Sequence, residues 1–220
     1  LIWIPDTVAT PEQLVAFVET SGKKEGSLVL SQKFKKLYGT EIPWGCGAIL
    51  LEDKQPWWHV SNGRHVGHSV WLKIDKHKLP KTTQSIQIDF DNRFIEHYQT
   101  QNVAGYVEGT AVKDTFLVFS AHYDHLGMMG NKAFFPGSSD NASGTTMVLD
   151  LVRYYARHSS KYSMAFILFS GEEAGLMGSS YFADHPLFPL SQIKLLINSD
   201  MIGTGSEGIT VVNGKVFANL

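Results

Sequence analysis

The sequence contains little that would cross-link the chain, anchor it in a membrane or attract it to a polyanion. Its 220 residues include a single cysteine, Cys46, so an internal disulfide is excluded, and we interpret this residue as a small buried packing side chain. No apolar run reaches the length of a membrane span, and the first residues do not resemble a signal peptide. A formal net charge of −2 provides no basic surface for nucleic acid or an anionic membrane.

The overall composition, 43% apolar and 18% charged, is that of a globular protein. The pattern of apolar residues along the chain changes near residue 100. Before that point, short apolar runs at residues 27–30, 48–51, 69–74 and 85–90 predict strands separated by turns. One helix is predicted over residues 11–20, with Thr10 as its N-cap. The aromatic and histidine-rich segment 57–68 lacks spaced acidic partners and is interpreted as structural. Residues 1–98 are therefore predicted to form a small β-rich module.

Residues 99–220 show an α/β pattern. Strands are predicted at residues 103–107, 116–120, 164–169 and 195–197, with a further strand-like run at 208–213. The spacing of Val148, Leu151, Val152 and Tyr155 marks one face of a helix that Ser143 could cap, and a second helix is predicted over 174–183. Strand, helix and strand at this spacing imply right-handed crossovers. The predicted fold class is α/β, a mixed and largely parallel sheet with helices on both faces.

Four side chains able to bind a metal follow the ends of these elements: His122, Asp140, Glu173 and Asp200. Ligands of open α/β sheets bind outside the carboxyl ends of the strands, so we expect these groups to meet at one edge. Each alone would be an ordinary turn or surface residue, but converging carboxylates repel one another unless a cation lies between them. One imidazole and three carboxylates suit a pair of divalent ions better than one structural zinc. The chain is predicted to be a metallohydrolase that uses metal-activated water.

Two further carboxylates fit this chemistry. Asp124 lies two positions after His122 and is predicted to accept the second imidazole N–H, which would fix the tautomer. Glu172 is adjacent to Glu173 and points elsewhere, so it is free to act as a general base. His125 is interpreted as a structural or pocket-lining residue.

These motifs resemble those of the co-catalytic zinc aminopeptidase family, which includes bacterial leucine aminopeptidases and yeast aminopeptidase Y. The resemblance covers residues 102–203 and rests on five stretches, namely Asn-Val-Ala-Gly at 102–105, His-Tyr-Asp-His-Leu-Gly at 122–127, Gly-Ser-Ser-Asp-Asn-Ala-Ser-Gly at 137–144, Phe-Ser-Gly-Glu-Glu-Ala-Gly-Leu at 169–176 and Asn-Ser-Asp-Met-Ile-Gly at 198–203. Residues 47–51 and 69–76 faintly resemble a protease-associated domain.

The resemblance implies a zinc exopeptidase-like fold and hydrolysis of N-terminal residues from peptide substrates at two zinc ions. It implies that Asp140 bridges the ions, that His122 and Asp200 bind one of them, and that Glu173 binds the other. Glu172 matches the general base of the family, and Asp124 matches the carboxylate behind the first histidine. A secreted or periplasmic location is also expected from the family and from a start at Leu1 rather than Met.

The sequence departs from the family at the last zinc ligand. The family takes this histidine from a loop beyond the position of Asp200, whereas none of the nine histidines here follows Asp200. We therefore expect the chain to be the N-terminal part of a longer peptidase, with the missing ligand beyond Leu220. On this expectation, the present chain binds only one ion tightly and is inactive alone.

Three other functions are alternatives to this interpretation. A glutaminyl cyclase or a carboxypeptidase could use the same scaffold, but the Asp-Asn-Ala-Ser-Gly stretch is unusual for a cyclase. A receptor-like homologue would have lost metal ligands, whereas every matching ligand before residue 201 is present. A calcium-stabilised domain would suit the carboxylates but not His122, because imidazole is a poor ligand for that ion.

Overall fold

The computed structural model describes residues 1–22, 26–42, 47–56, 66–90 and 93–216. Contacts divide the chain into two compact units, one made mainly of residues 1–96 and the other mainly of residues 97–220. Cys46 and most of the aromatic and histidine-rich segment, residues 57–65, lie outside the described residues. The interpretation of the first unit as a protease-associated-like module stays a prediction.

The first unit contains a four-stranded parallel sheet in the order β1–β2–β3–β4. Its strands are β1 (Ile2–Trp3), β2 (Leu28–Leu30), β3 (Gly47–Glu52) and β4 (Val70–Asp75). Thr10 is the N-cap of helix α1 (Pro11–Ser21), as predicted, because the Thr10 hydroxyl accepts the Gln13 N–H and the Gln13 side chain accepts the Thr10 N–H. Val18 of this helix packs against Leu30 and Leu50 of the sheet.

One strand predicted in this unit is wrong. Residues 85–90 form no strand and pair with none of the described strands. A half-buried strand needs one covered face, and only Ile86 packs against the core. Ile88 and Phe90 are exposed, so the alternation of apolar and polar residues does not correspond to a buried face.

The second unit is built on a four-stranded sheet in the order β10–β6–β9–β5. Its strands are β5 (Val103–Val107), β6 (Val112–His122), β9 (Tyr162–Phe169) and β10 (Ile193–Asn198), and a separate hairpin is formed by β7 (Gly127–Met129) and β8 (Ala133–Phe135). Strands β6, β9 and β10 are parallel, and β5 is antiparallel to β9. This arrangement is the mixed, largely parallel sheet that the sequence predicts.

The sheet of the second unit carries a helix on each face. Helix α2 (Gly144–Tyr155) connects β6 to β9, and its Val148 packs with Met164 and Phe166. Helix α3 (Met177–Asp184) connects β9 to β10, and its Phe182 packs with Ala165 and Ile167. Successive residues of β9 therefore point to opposite covered faces, which explains its unbroken apolar run.

One helix start and one strand in this unit differ from the prediction. Helix α3 begins at Met177 rather than near residue 174, because Gly175 and Leu176 have φ angles of 97° and 59°. Glu172 and Glu173 therefore lie on a turn before the helix. The run at residues 208–213 is not a strand, since Val212 is 80% exposed and its neighbours have no covered face.

Among the described residues, no helix is both long and apolar enough to cross a bilayer.

Candidate metal centre

Three parallel strands bring polar side chains to one edge of the second unit. His122 is the last residue of β6 and lies opposite Phe169, the last residue of β9. Glu172 and Glu173 follow β9, and Asp200 follows β10. Because these strands run in the same direction, their carboxyl ends deliver the side chains to the same place. Asp140 comes from the turn that leads into α2, where the Asp140–Asn141 peptide bond is cis.

The first candidate ligand group consists of His122, Asp140 and Asp200. His122 Nε2 lies 3.2 Å from Asp140 Oδ1 and 3.6 Å from Asp200 Oδ1. Ligand atoms around tetrahedral zinc are about 3.3 Å apart, given bonds of about 2.0 Å. The imidazole is only 3% exposed, whereas both carboxylates face the open edge. The separations and the donor types both fit a zinc ion.

Asp124 does not contact His122 in the way that the sequence predicted. The Nδ1–H of His122 donates to the backbone carbonyl of Asp124 at 3.1 Å, and the carboxylate lies 3.8 Å away. The tautomer is therefore fixed by a main-chain acceptor. The Asp124 carboxylate instead accepts the backbone N–H groups of Glu172 and Glu173, at 3.1 and 3.2 Å. Asp124 thus holds the turn that carries the two glutamates.

The second candidate ligand group consists of His125, Asp140 and Glu173. His125 Nδ1 and Glu173 Oε1 are 2.8 Å apart, and both atoms are buried. The two groups face each other as an ion pair, although neither of these atoms has a hydrogen-bond partner among the described residues. The sequence interpretation of His125 as a structural or pocket-lining residue did not include its contact with Glu173. A second imidazole within the His122 loop was the available signal.

Asn141, which the sequence analysis did not single out, ties the two acidic segments together. Its Oδ1 accepts the N–H groups of Gly144 and Met201 at 3.0 and 3.2 Å, and its Nδ2 donates to the Ser199 carbonyl at 3.0 Å. The side chain is 2% exposed, so each bond is shielded from water. It therefore joins the start of α2 to both neighbours of Asp200.

The predicted cap of α2 is also corrected by this contact. The Ser143 hydroxyl donates to the Ser139 carbonyl at 2.6 Å and makes no N-terminal cap bond. Asn141 satisfies the Gly144 N–H in its place. Gly144 must lack a side chain here, because a Cβ would lie 2.2 Å from the Ser199 carbonyl oxygen.

We expect Asn141→Ala to weaken zinc binding about 10- to 100-fold, the usual effect of removing a group that orients metal ligands. The substitution leaves two N–H groups and one carbonyl without their partner and releases the segment that carries Asp200. Isothermal titration with zinc measures the change. Asn131→Ala, at an exposed turn between β7 and β8, is the control and should leave the affinity unchanged. Equal affinities for both variants would contradict the proposed role of Asn141.

Glu172 belongs to neither ligand group and approaches His122 Nε2 only to 4.0 Å. Burial raises the pKa of Glu172 above its ordinary value of 4.5. His122 opposes this increase, and the carboxylates of Glu173, Asp200 and Asp124 add to it. A carboxyl group with a raised pKa holds its proton more tightly in the folded state, so its ionisation destabilises the metal-free fold.

Because the pKa of Glu172 is raised, we expect Glu172→Gln to raise the melting temperature of the metal-free protein at pH 7.5. Glutamine has no charge to bury beside the other carboxylates. The stability that protonated Glu172 provides to the wild type is present below pH 4.5 and is lost as the pH rises through the raised folded-state pKa. The advantage of the variant should therefore vanish near pH 4. Thermal unfolding of chelator-treated protein at both pH values checks this, and an equal advantage at both would contradict it.

The described residues fit a pair of zinc ions. Each ligand group offers one imidazole and two carboxylates, with Asp140 common to both, and the liganding atoms within each group lie within 4.8 Å of one another. Imidazole nitrogen and carboxylate oxygen are ordinary zinc ligands. Three protein ligands with an open fourth position are typical of catalytic rather than structural zinc.

A largely parallel α/β sheet with two such groups at the carboxyl ends of its strands defines a metal-binding domain of the hydrolase type. The sequence profile of Peptidase family M28 matches residues 102–219, more than half of the chain, and the chain belongs to this family. This membership confirms the resemblance to zinc aminopeptidases.

Individual relatives agree with that assignment. Aminopeptidase YwaD of Bacillus subtilis is 32% identical over 179 residues, which are 79% of this chain and 38% of the relative. A probable zinc metalloprotease of Pyricularia oryzae is 33% identical over 111 residues, covering 49% of this chain and 22% of that protein. The solved structure of BSAP, a zinc aminopeptidase from Bacillus subtilis, superposes with a TM-score of 0.58 at 23% identity, over 91% of this chain and 48% of that one. The superposition confirms the predicted fold class. The chain spans less than half the length of each of these relatives.

Proposed function

We propose that the protein is a two-zinc aminopeptidase that releases N-terminal residues from peptides. The observation that carries this proposal is that Asp140 belongs to both ligand groups while Glu172 belongs to neither. A shared carboxylate places two cations side by side, and a separate carboxylate beside them is free to move protons. The relatives from Bacillus subtilis are both described as aminopeptidases, which supports the reaction class.

The proposed mechanism assigns a task to each group. When bound, zinc supplies a Lewis acid that polarises the scissile carbonyl and lowers the pKa of the attacking water. Glu172 accepts the proton of that water at its carboxylate and then donates it to the leaving amine. His122, Asp140 and Asp200 would hold one ion, while Asp140 and Glu173 would hold the other. The Asp124 carboxylate accepts the backbone N–H of Glu172 and so holds the turn that carries Glu172.

The alternative enzymes and binding functions are less well supported. A receptor-like protein has no use for a base with a raised pKa beside a complete ligand group. Calcium favours six to eight oxygen ligands, and each group here contains an imidazole. A secreted or periplasmic location, as expected from the family resemblance, is part of the proposal, and cell fractionation with an antibody against the protein tests it.

The reaction is tested with the full-length protein on aminoacyl-anilides, glutaminyl peptides and peptides with acidic C-termini. We expect release of the N-terminal residue, loss of activity on chelation and recovery with zinc but not calcium. Cyclisation of the glutaminyl peptide or release of the C-terminal residue would replace the proposal with one of its alternatives. Absence of all three activities from zinc-loaded protein would contradict an enzymatic function.

A further inference from the structure

We propose that the β7–β8 hairpin binds the part of a peptide substrate that follows the scissile bond, and that Met128 and Phe134 make this contact. The proposal rests on the aminopeptidase function and adds to it a preference for apolar residues at the second and third positions of the substrate. The hairpin connects the loop after His122 to the turn that carries Asp140. The proposed mechanism leaves its two large, exposed apolar side chains without a task.

Both ends of the hairpin are attached to the metal centre. Before β7, His125 Nδ1 faces Glu173 Oε1 at 2.8 Å. After β8, Gly137 lies against the same imidazole, since a Cβ at Gly137 would be 3.0 Å from His125 Cγ. Met128 follows His125 by three residues and Phe134 precedes Gly137 by three, and three residues of chain span at most about 11 Å. An extended substrate covers that distance in about three residues, so the hairpin is within reach of the residues that follow the scissile bond.

The register of the hairpin places the two apolar side chains together. Met128 lies directly opposite Phe134 in the antiparallel pair, so both side chains project to the same face. They are 58% and 67% exposed. The residues that alternate with them, Met129, Ala133 and Phe135, are half-buried. The hairpin therefore packs through one face and presents an apolar pair to solvent on the other.

The composition of the hairpin indicates which side chains this pair would bind. Single exposed apolar residues are common on protein surfaces, but two in contact beside a metal centre form a contiguous patch of the kind that marks a binding site. Lys132, on the turn, is the single charged residue among residues 127–135. The pair consequently offers dispersion and burial but no charge to a ligand, and it suits apolar side chains of the substrate.

The exposure of the pair assigns it to the leaving side of the substrate. The first residue of the peptide must place its carbonyl at the metal ions, so its side chain enters the site. The rest of the chain leaves along the surface and stays partly in water. A patch that is itself more than half exposed matches this second part of the peptide. Met128 and Phe134 are therefore specificity-determining residues for the second and third positions.

The test uses zinc-loaded full-length protein and two tripeptides with the same N-terminal residue, one continued by two phenylalanines and the other by two serines. We expect the wild type to prefer the phenylalanine peptide, and Phe134→Ser or Met128→Ser to lower the ratio of the two kcat/KM values at least about fivefold. A contact that stays partly exposed gains only part of the free energy of full burial, which sets this modest size. The change should appear in KM rather than kcat, because the pair does not touch the reacting atoms.

Leu187→Ser is the matched control. Leu187 is 71% exposed and lies beyond Asp184, at the end of α3 opposite to the Glu172–Glu173 turn. Its ratio should equal that of the wild type, and Phe134→Leu should keep most of the preference. Elemental analysis and circular dichroism show whether each variant binds zinc and folds. An equal ratio in wild type, Phe134→Ser and Met128→Ser would overturn the proposal and leave the patch as a packing surface.

A measurement on the wild type keeps the proposal testable if the variants fail to fold. Acetyl-phenylalanyl-phenylalanine has no free amine and is not cleaved by an aminopeptidase, so it serves as a stable probe of the leaving side. Methyl ¹H–¹³C spectra of the methionines should show the Met128 methyl group shifting as this peptide is added, whereas acetyl-seryl-serine at the same concentration should leave it in place. A Met128 resonance that responds to neither peptide, or equally to both, would overturn the proposal.

Failure of this inference differs from failure of the proposed function. An enzyme that releases N-terminal residues with no preference at the second and third positions disproves the role of the hairpin alone. A zinc-loaded protein that releases no N-terminal residue, while its Met128 methyl group still responds to the apolar peptide, disproves the aminopeptidase assignment alone.

Discussion

Replacing Glu172 by glutamine is expected to lower kcat/KM for an aminoacyl-anilide by about 10²- to 10⁴-fold, the usual contribution of a general base. Glutamine keeps the size of the side chain but cannot accept a proton from water. Because Glu172 belongs to neither ligand group, zinc stoichiometry and affinity should be unchanged. Steady-state kinetics and elemental analysis of the same preparation measure both quantities.

The control for this variant is Glu108→Gln. Glu108 is exposed and forms an ion pair with Lys113. Such a surface pair contributes little, so activity should stay near the wild-type level. Full activity of Glu172→Gln with both metals bound would remove Glu172 from the mechanism. Loss of metal from Glu172→Gln would show that the carboxylate is a ligand instead.

Replacing Asp140 by asparagine is expected to remove both ions at once. Asp140 is the only residue common to the two ligand groups formed by the described residues. The amide carries no charge to offset two dications, so both sites lose affinity and the carboxylates that remain cannot hold the ions at micromolar zinc. Activity should fall at least as far as in Glu172→Gln, with zinc content near zero by elemental analysis.

Asp150→Asn is the matched control for this change, because Asp150 lies exposed on α2 and pairs only with Arg153 among the described ion pairs. Its zinc content and activity should equal those of the wild type. Retention of one tightly bound ion by Asp140→Asn would show that the two sites do not share this carboxylate.

Much of this site could be predicted from the spacing of residues after strands. His122, Glu173 and Asp200 follow unbroken apolar runs, and parallel strands necessarily present such residues at one edge. The sheet and its two covering helices follow from the same periodicity. The assignments of His122, Asp140, Glu173 and Asp200 as ligands, and of Glu172 and Asp124 as catalytic residues, stay predictions until metal binding is measured.

The parts that sequence reasoning missed depend on side-chain directions within turns. Spacing places Asp124 on the same side of an extended segment as His122, but the chain leaves the strand at His122 and turns. The Asp124 carboxylate consequently faces the Glu172–Glu173 turn rather than the ring. His125 and Asn141 were missed for the same reason, because their roles arise from loops that meet only in three dimensions. For residues 208–213 a strand was predicted that does not form, since apolar residues alone do not provide a neighbouring strand.

The position of Asp140 in both ligand groups has a thermodynamic consequence. Whatever free energy the first ion gains or loses through Asp140 alters the affinity of the second, and linkage requires the effect to be reciprocal. Once the first ion neutralises the charge of Asp140, that carboxylate attracts the second ion less strongly. The first ion also fixes the turn that carries Asp140, which lowers the entropy cost of binding the second ion. Loading is therefore coupled, and two sites with almost the same donor atoms acquire different apparent dissociation constants.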